Sequence, residues 1–404
     1  MVQTFYAEGL GSPALEYYLS GLAVRMAQGK GLHRQPAKSW RLPEAEVLQR
    51  NWLWWTIYCL DKQLAFRSGR PSAIDDENIS AEIPRAAPPG SPIDVNILTY
   101  IIRHAQISTQ ISRRIMSVKA SQQSLTNLIN TVRDIHRQLE EFKQSLPPDL
   151  QIEEDVLPLQ DRQSISRLIH LVYIRFALYG SIMAVHIPFF YPWIAARLRS
   201  TETNAALDEQ IALSSAAVAA AAPKIILALR SLTINVSVPA WLAFYYPMYA
   251  HINMFVQILK SPSAPSAASD LALLDVCAGH FGHIDFVTLS EISFPFAKES
   301  ANLAYKVVKA YTETNQHDDS RPIPTNSKFS NGLLATADTG DSRWIQAGFE
   351  QPRYFDSMTD VSDFCRLDVV YMLQSRVLIS NLVIEQFQFH RIQHGCLEHV
   401  QLCR

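Results

Sequence analysis

LQRNWLWWTIYCLDKQL, residues 48–64, sets how the rest of the chain is read. Leu48, Trp52, Trp55 and Cys59 are spaced by four, three and four residues. Leu53, Ile57, Leu60 and Leu64 repeat the same steps on an adjoining face. That spacing is helical, because side chains three and four apart lie one above the other on a helix. A helix that is apolar on two faces has protein on both sides of it, so the stretch predicts a central helix in a large helical body.

Similar periodic runs occupy Ala14–Gly29, Val95–Val118, Ser124–Phe142, Ile165–Val185, Ile211–Leu229, Trp241–Leu259, Asp270–Leu289 and Phe296–Thr312. A late run covers Val361–Ile392. Strand-type alternation is nearly absent, and 14 glycines in 404 residues are few for a fold rich in tight turns. The expectation is an all-α fold, a large irregular multi-helix bundle or a stack of helices. Its breaks are PRAAPPGSP at Pro84–Pro92, LPP at Leu146–Pro148 and SPSAPSAAS at Ser261–Ser269. The expected division is a helical domain over 10–312, a polar linker over 313–342, and a C-terminal helical segment over 343–404 with a Cys/His-rich tail.

Composition narrows the function. The chain carries 36 Lys+Arg against 38 Asp+Glu, with 18% charged and 48% hydrophobic residues. That balance excludes a wholly disordered chain and one that coats nucleic acid by bulk positive charge. Two uncharged stretches, Phe176–Ala196 and Pro239–Leu259, are long enough to span a bilayer. Both hold prolines and polar residues and neither has a basic flank, so they read as buried helices with no membrane partner. Five scattered cysteines give no disulfide framework and suit a reducing setting.

Motifs for phosphate-binding loops, the hydrolase elbow and the zinc-protease helix are absent. The expectation is therefore no catalytic residue and no metal ligand. Cys277, His280 and His283 spread over a wide arc of one helix, which suits packing better than a convergent zinc site. His390, His394, Cys396, His399 and Cys403 form a second Cys/His group, in which Cys396, His399 and Cys403 share one helix face; it reads as a frayed tail before a zinc site. Asp75, Asp76 and Glu77 follow Pro71 and suit a turn or a helix start. The aromatics of WLAFYYPMY, Trp241–Tyr249, read as core before they read as the lining of a ligand cavity; no ligand-binding residue is assigned.

Gly21–Pro84 reads GLAVRMAQGKGLHRQPAKSWRLPEAEVLQRNWLWWTIYCLDKQLAFRSGRPSAIDDENISAEIP. It carries Ala23, Arg25, Met26 and Ala27, then Gly31, Leu32, His33 and Arg34. Glu44 and Glu46 follow in an acidic loop, then Trp54, Trp55, Tyr58, Leu60 and Asp61. Gly69, Arg70, Pro71, Ile74 and Asp76 close the block. This resembles the fungal-specific transcription factor domain, also called the middle homology region or xylanolytic-activator regulatory domain. Lys62 stands where the family has arginine, and Ile187 replaces the arginine of a later family helix. Each motif residue also has a structural reading. Gly31 suits a left-handed helix cap, Trp54 and Trp55 suit core, and Asp61 with Arg70 suits an ion pair around the turn before Pro71.

The resemblance implies a non-enzymatic regulatory domain that controls transcription in the nucleus. Its implied partners are the transcription machinery, another regulator or a second copy, with a small-molecule effector. DNA contact and zinc belong, in this family, to an N-terminal six-cysteine module absent from this sequence. On this reading the domain is truncated at its N-terminus and leaves an apolar face uncovered. The rival reading is a partner module that binds a full-length regulator without touching DNA.

Overall fold

The computed structural model describes residues 13–91, 94–148, 150, 162–201, 205–232, 234, 238–290 and 292–318. The tail cysteines and histidines (His390, His394, Cys396, His399 and Cys403) and the expected segment 343–404 lie outside the described residues. Among the described residues the chain is helical and contains no strand. Its ten α-helices are α1 (Pro13–Gly29), α2 (Glu44–Ser68), α3 (Val95–Arg114), α4 (Leu125–Ser145) and α5 (Arg162–Phe190), then α6 (Pro192–Thr201), α7 (Ala205–Ala228), α8 (Ala240–Lys260), α9 (Ala267–Val287) and α10 (Phe296–Asp318).

Local chemistry fixes the ends. Glu44 and Glu46, expected in a loop, open α2 in its first turn, where carboxylates favour the helix dipole. Asp94 caps α3 by accepting from the N–H groups of Asn96 (2.7 Å) and Ile97 (3.3 Å). Ser124 caps α4 through Asn127 N–H at 3.3 Å. The last helix runs to Asp318, six residues beyond Thr312, because TETNQHD contains neither proline nor glycine. α5 likewise continues past Val185 to Phe190, with Pro188 inside it.

α2 packs between α1 and α3; α5 touches α3, α4, α6, α7 and α8; α9 and α10 close over α8. One contiguous apolar core joins side chains from Val24 on α1 to Ala304 on α10. The central-helix expectation for α2 holds from Trp54 to Phe66, whereas Leu53 is 44% exposed near its start. Two helices, Arg167–Phe190 and Ala205–Ser231, are long and apolar enough to cross a membrane by length and composition alone. Most of the apolar window of α5 is buried inside the body.

α8 has a proline in its interior. Pro247 has no N–H to give the carbonyl of Ala243, four residues back. That carbonyl instead accepts from His280 Nε2 on α9, at 2.7 Å. Cys277, one turn earlier, points its Sγ at the Pro247 carbonyl at 3.6 Å. The stretch Trp241–Tyr249 is packed tightly around this point. Tyr246 contacts the rings of Phe176 (5.6 Å) and Trp241 (6.2 Å), and Trp241 meets Tyr173 edge-on at 5.4 Å. Gly180 of α5 lies so close that a Cβ there would fall 2.8 Å from Tyr246 Cε1.

Candidate functional site

The motif residues come together where α1 ends against α2. α1 closes with Leu32 N–H on the Ala27 carbonyl (3.0 Å) and Gly31 N–H on the Gln28 carbonyl (2.9 Å). That pair is the Schellman closure, and Gly31 takes the left-handed conformation it needs, φ 66°. The apolar residue after it, Leu32, is buried. α2 ends the same way: Gly69 has φ 66°, and Arg70 N–H reaches the Ala65 carbonyl at 3.0 Å. No atom lies within 4 Å of a Cβ built on Gly31, so steric crowding is not the obstacle there. Gly31→Ala is therefore expected to cost about 1 kcal/mol from backbone conformation alone, read as a lower urea midpoint.

Beyond each glycine the chain is sewn to α2. The His33 carbonyl accepts from Ser80 N–H (3.0 Å) and Ala81 N–H (3.1 Å). Gln35 Oε1 accepts from Asn51 Nδ2 (3.3 Å) and Glu82 N–H (3.1 Å). Trp55 Nε1 donates to the Glu82 carbonyl at 2.9 Å. Trp54 is fully buried with its indole 5.7 Å from the His33 ring. Burial, and then the neighbouring Arg34 charge, hold the His33 imidazole below its ordinary pKa. Arg34 Nε donates to His33 Nε2 at 3.4 Å, while Arg25 lies outside on α1 with Gln28.

The turn after α2 is held from both sides. Asp61 accepts from the Ser72 hydroxyl and from Ala73 N–H, at 2.5 and 3.3 Å. Burial raises the Asp61 carboxyl, against the lowering effect of those two bonds. The Arg70 guanidinium lies over the Tyr17 ring at 5.2 Å, and Tyr17 donates to the Pro71 carbonyl at 2.6 Å. Lys62, buried, reaches the Ile74 carbonyl at 2.9 Å and Asp76 at 2.7 Å. A point charge serves both contacts, which explains how lysine works where the related pattern has arginine. Asp75 caps the short turn through Glu77 N–H and pairs with Arg113 of α3 at 2.9 Å. The hydrogen bond from Arg113 holds the Asp75 carboxyl below its usual range.

Most polar groups of the arrangement spend their bonds on backbone and on each other, whereas Trp54 Nε1 and His33 Nδ1 are buried without a partner. Among the described residues no group of three or more His, Cys, Asp or Glu can hold a metal ion. Cys277 is buried with its thiol pushed up by desolvation, whereas His283 faces solvent, so that trio does not converge. Sequence reasoning missed one further feature. Arg67 Nη2 donates to both carboxylate oxygens of buried Glu16, at 2.9 and 2.8 Å, with the guanidinium 5.5 Å from the Trp241 ring. On the other side of α1, Leu15, Tyr18, Leu22 and Met26 form an exposed apolar stripe, with Tyr18 71% exposed.

The first 144 residues match the family described as the fungal specific transcription factor domain. Residues 1–144 are similar to such a domain. They contain the whole junction of α1, α2 and the turn, together with α3 and nearly all of α4. The chain is 28% identical over 287 residues to an ABC-transporter-regulating transcription factor of Aspergillus oryzae, covering 68% of this chain and 32% of that protein. A namesake in Aspergillus fumigatus gives the same identity and coverage. The lactose regulatory protein of Kluyveromyces lactis is 34% identical over 125 residues, 30% of this chain and 13% of that protein. These relatives are fungal transcriptional regulators, and the chain spans about a third of the length of the Aspergillus proteins. No solved structure is a significant match.

Proposed function

We propose that this chain is the regulatory helical part of a fungal transcription regulator, working in the nucleus through protein contacts and catalysing no reaction. The observation that carries this reading is the domain match over residues 1–144. The geometry supports it, because the motif residues build a hydrogen-bonded junction between α1, α2 and the turn after it. We read the regulatory body as continuing through α10, since one core joins the matched helices to the later ones. Five cysteines are one short of a six-cysteine cluster, so no DNA contact through such a cluster is assigned to these residues.

The test is a fusion of the chain to a heterologous DNA-binding domain in a fungal host. Reporter output is expected to move away from that of the DNA-binding domain alone, in either direction, and the tagged chain to enter the nucleus. A chain that stays outside the nucleus and leaves the reporter unchanged sinks the reading. The α1 stripe favours a second reading, a partner module that engages another regulator by that face. Under it, Tyr18→Asp with Leu22→Asp abolishes the reporter effect while leaving the thermal unfolding of the chain in place.

A further inference from the structure

Five polar side chains form an unbroken line from the surface into the core where α4 meets α5 and α7. Arg133 of α4 donates from Nε to Gln210 Oε1 of α7 at 2.8 Å, and its NH2 pairs with Glu209 at 2.9 Å. Gln210 Nε2 donates to Ser214 Oγ at 3.1 Å. Ser214 Oγ lies 2.9 Å from His186 Nδ1 of α5, and His186 Nε2 lies 3.0 Å from His136 Nδ1 of α4. Gln210, Ser214 and His186 are buried, and His136 is half-buried.

The donors order themselves from one end. A guanidinium only donates, so Gln210 must turn its oxygen to Arg133 and its amide hydrogens to Ser214. Among the described residues, His186 Nδ1 is the acceptor left for the Ser214 hydroxyl proton. His186 therefore carries its own proton on Nε2 and gives it to His136 Nδ1. A neutral imidazole has one donor and one acceptor, so His136 keeps its proton on Nε2. The line is polarised throughout and ends on a single lone pair, that of His136 Nδ1.

We propose that this line is a proton-gated clasp that holds α4 against α5 and α7, closed while both imidazoles are neutral and opened by protonation of His136. A proton on His136 Nδ1 removes the terminal acceptor. The line must then reverse, with His136 donating to His186 Nε2 and His186 Nδ1–H donating to Ser214. Reversal strands the Ser214 hydroxyl proton in a buried site, and an unmatched buried donor is costly. The charged groups around His136 are Glu140 and Lys143 on its own helix, and the titratable group facing it from α5 is His186. Arg133 and Glu209 flank the line from α4 and α7, and Arg114 of α3 reaches α4 through Asp134 at 2.6 Å. Burial holds both imidazoles below their ordinary pKa, His186 down to about 3, which keeps the clasp closed at neutral pH.

Hydrogen exchange on the full chain tests this, with rates corrected for the intrinsic effect of pH. Below the His136 midpoint, α4 amides are expected to gain exchange relative to α9 by about tenfold per pH unit, ahead of any global transition. His136→Asn supplies a non-titrating oxygen near the Nδ1 position and is expected to leave α4 protected over the same range. An α4 that opens at the same pH in the variant, or only together with α9, overturns the clasp. Should the variant not fold, imidazole ¹⁵N shifts of the native chain decide. His136 protonation and the His186 tautomer change must occur as one event, and separate events overturn it.

Discussion

Taking the protein from about pH 7 to about pH 5 is expected to remove about 6 kcal/mol of stability. Three histidines are buried in the neutral form. His104 Nε2 donates to the Ala177 carbonyl at 3.0 Å, His251 Nε2 meets Ser300 Oγ at 2.8 Å, and His186 sits in the clasp. Desolvation lowers their pKa to about 4, about 4 and about 3. In the unfolded chain each titrates near 6.5, so the unfolded state takes up protons first as the pH falls. Their contribution is fully present above about pH 6.5 and is lost progressively toward the folded values. Two pH units below neutrality cost about 2 kcal/mol for each, and the sum rivals the 5–15 kcal/mol that holds a typical domain together. Circular dichroism with urea titrations at several pH values reads the loss directly. A urea midpoint unchanged between about pH 7 and about pH 5 shows that these imidazoles are not buried as neutral groups.

The second large effect is expected at Arg67. Its guanidinium grips both oxygens of Glu16, which is 5% exposed, and lies against Trp241, so one side chain ties α1, α2 and α8. Burial already pushes the Glu16 carboxyl up, while Arg67 opposes that shift. Arg67→Met leaves a carboxylate in the core without its partner, which costs about 3–5 kcal/mol. Adding Glu16→Gln removes the orphaned charge and is expected to return at least half of the loss. Urea unfolding of the two variants checks this. A double variant no more stable than Arg67→Met places the cost in lost packing against Trp241, not in the stranded charge.

The helical body was readable from the chain because apolar spacing is a local property. The 48–64 stretch announced α2, and Gly31 announced a cap whose backbone conformation only glycine adopts cheaply. Polar tertiary contacts were not legible in the same way. Glu16 and Arg67 are 51 residues apart, and His136 and His186 are 50 apart, so no spacing rule connects them. His186 stood in view as part of VHIPF, yet nothing near it in sequence points to Gln210 or Arg133. The acids at Glu44 and Glu46 were placed in a loop because the pattern was taken from a family motif, whereas Pro43 before them is a helix-start signal.

The gap that Pro247 leaves in α8 has a bearing on how this sequence tolerates change. A proline and a histidine 33 positions later serve one carbonyl between them, that of Ala243. A residue other than proline at 247 brings back an N–H for that carbonyl, whose second lone pair still serves the imidazole. Any residue at 280 that cannot donate leaves the carbonyl stranded in the core. A non-donor at 280, harmful beside Pro247, is expected to be tolerated once an N–H returns at 247, and the seam between α8 and α9 is held by a bond that neither helix makes for itself.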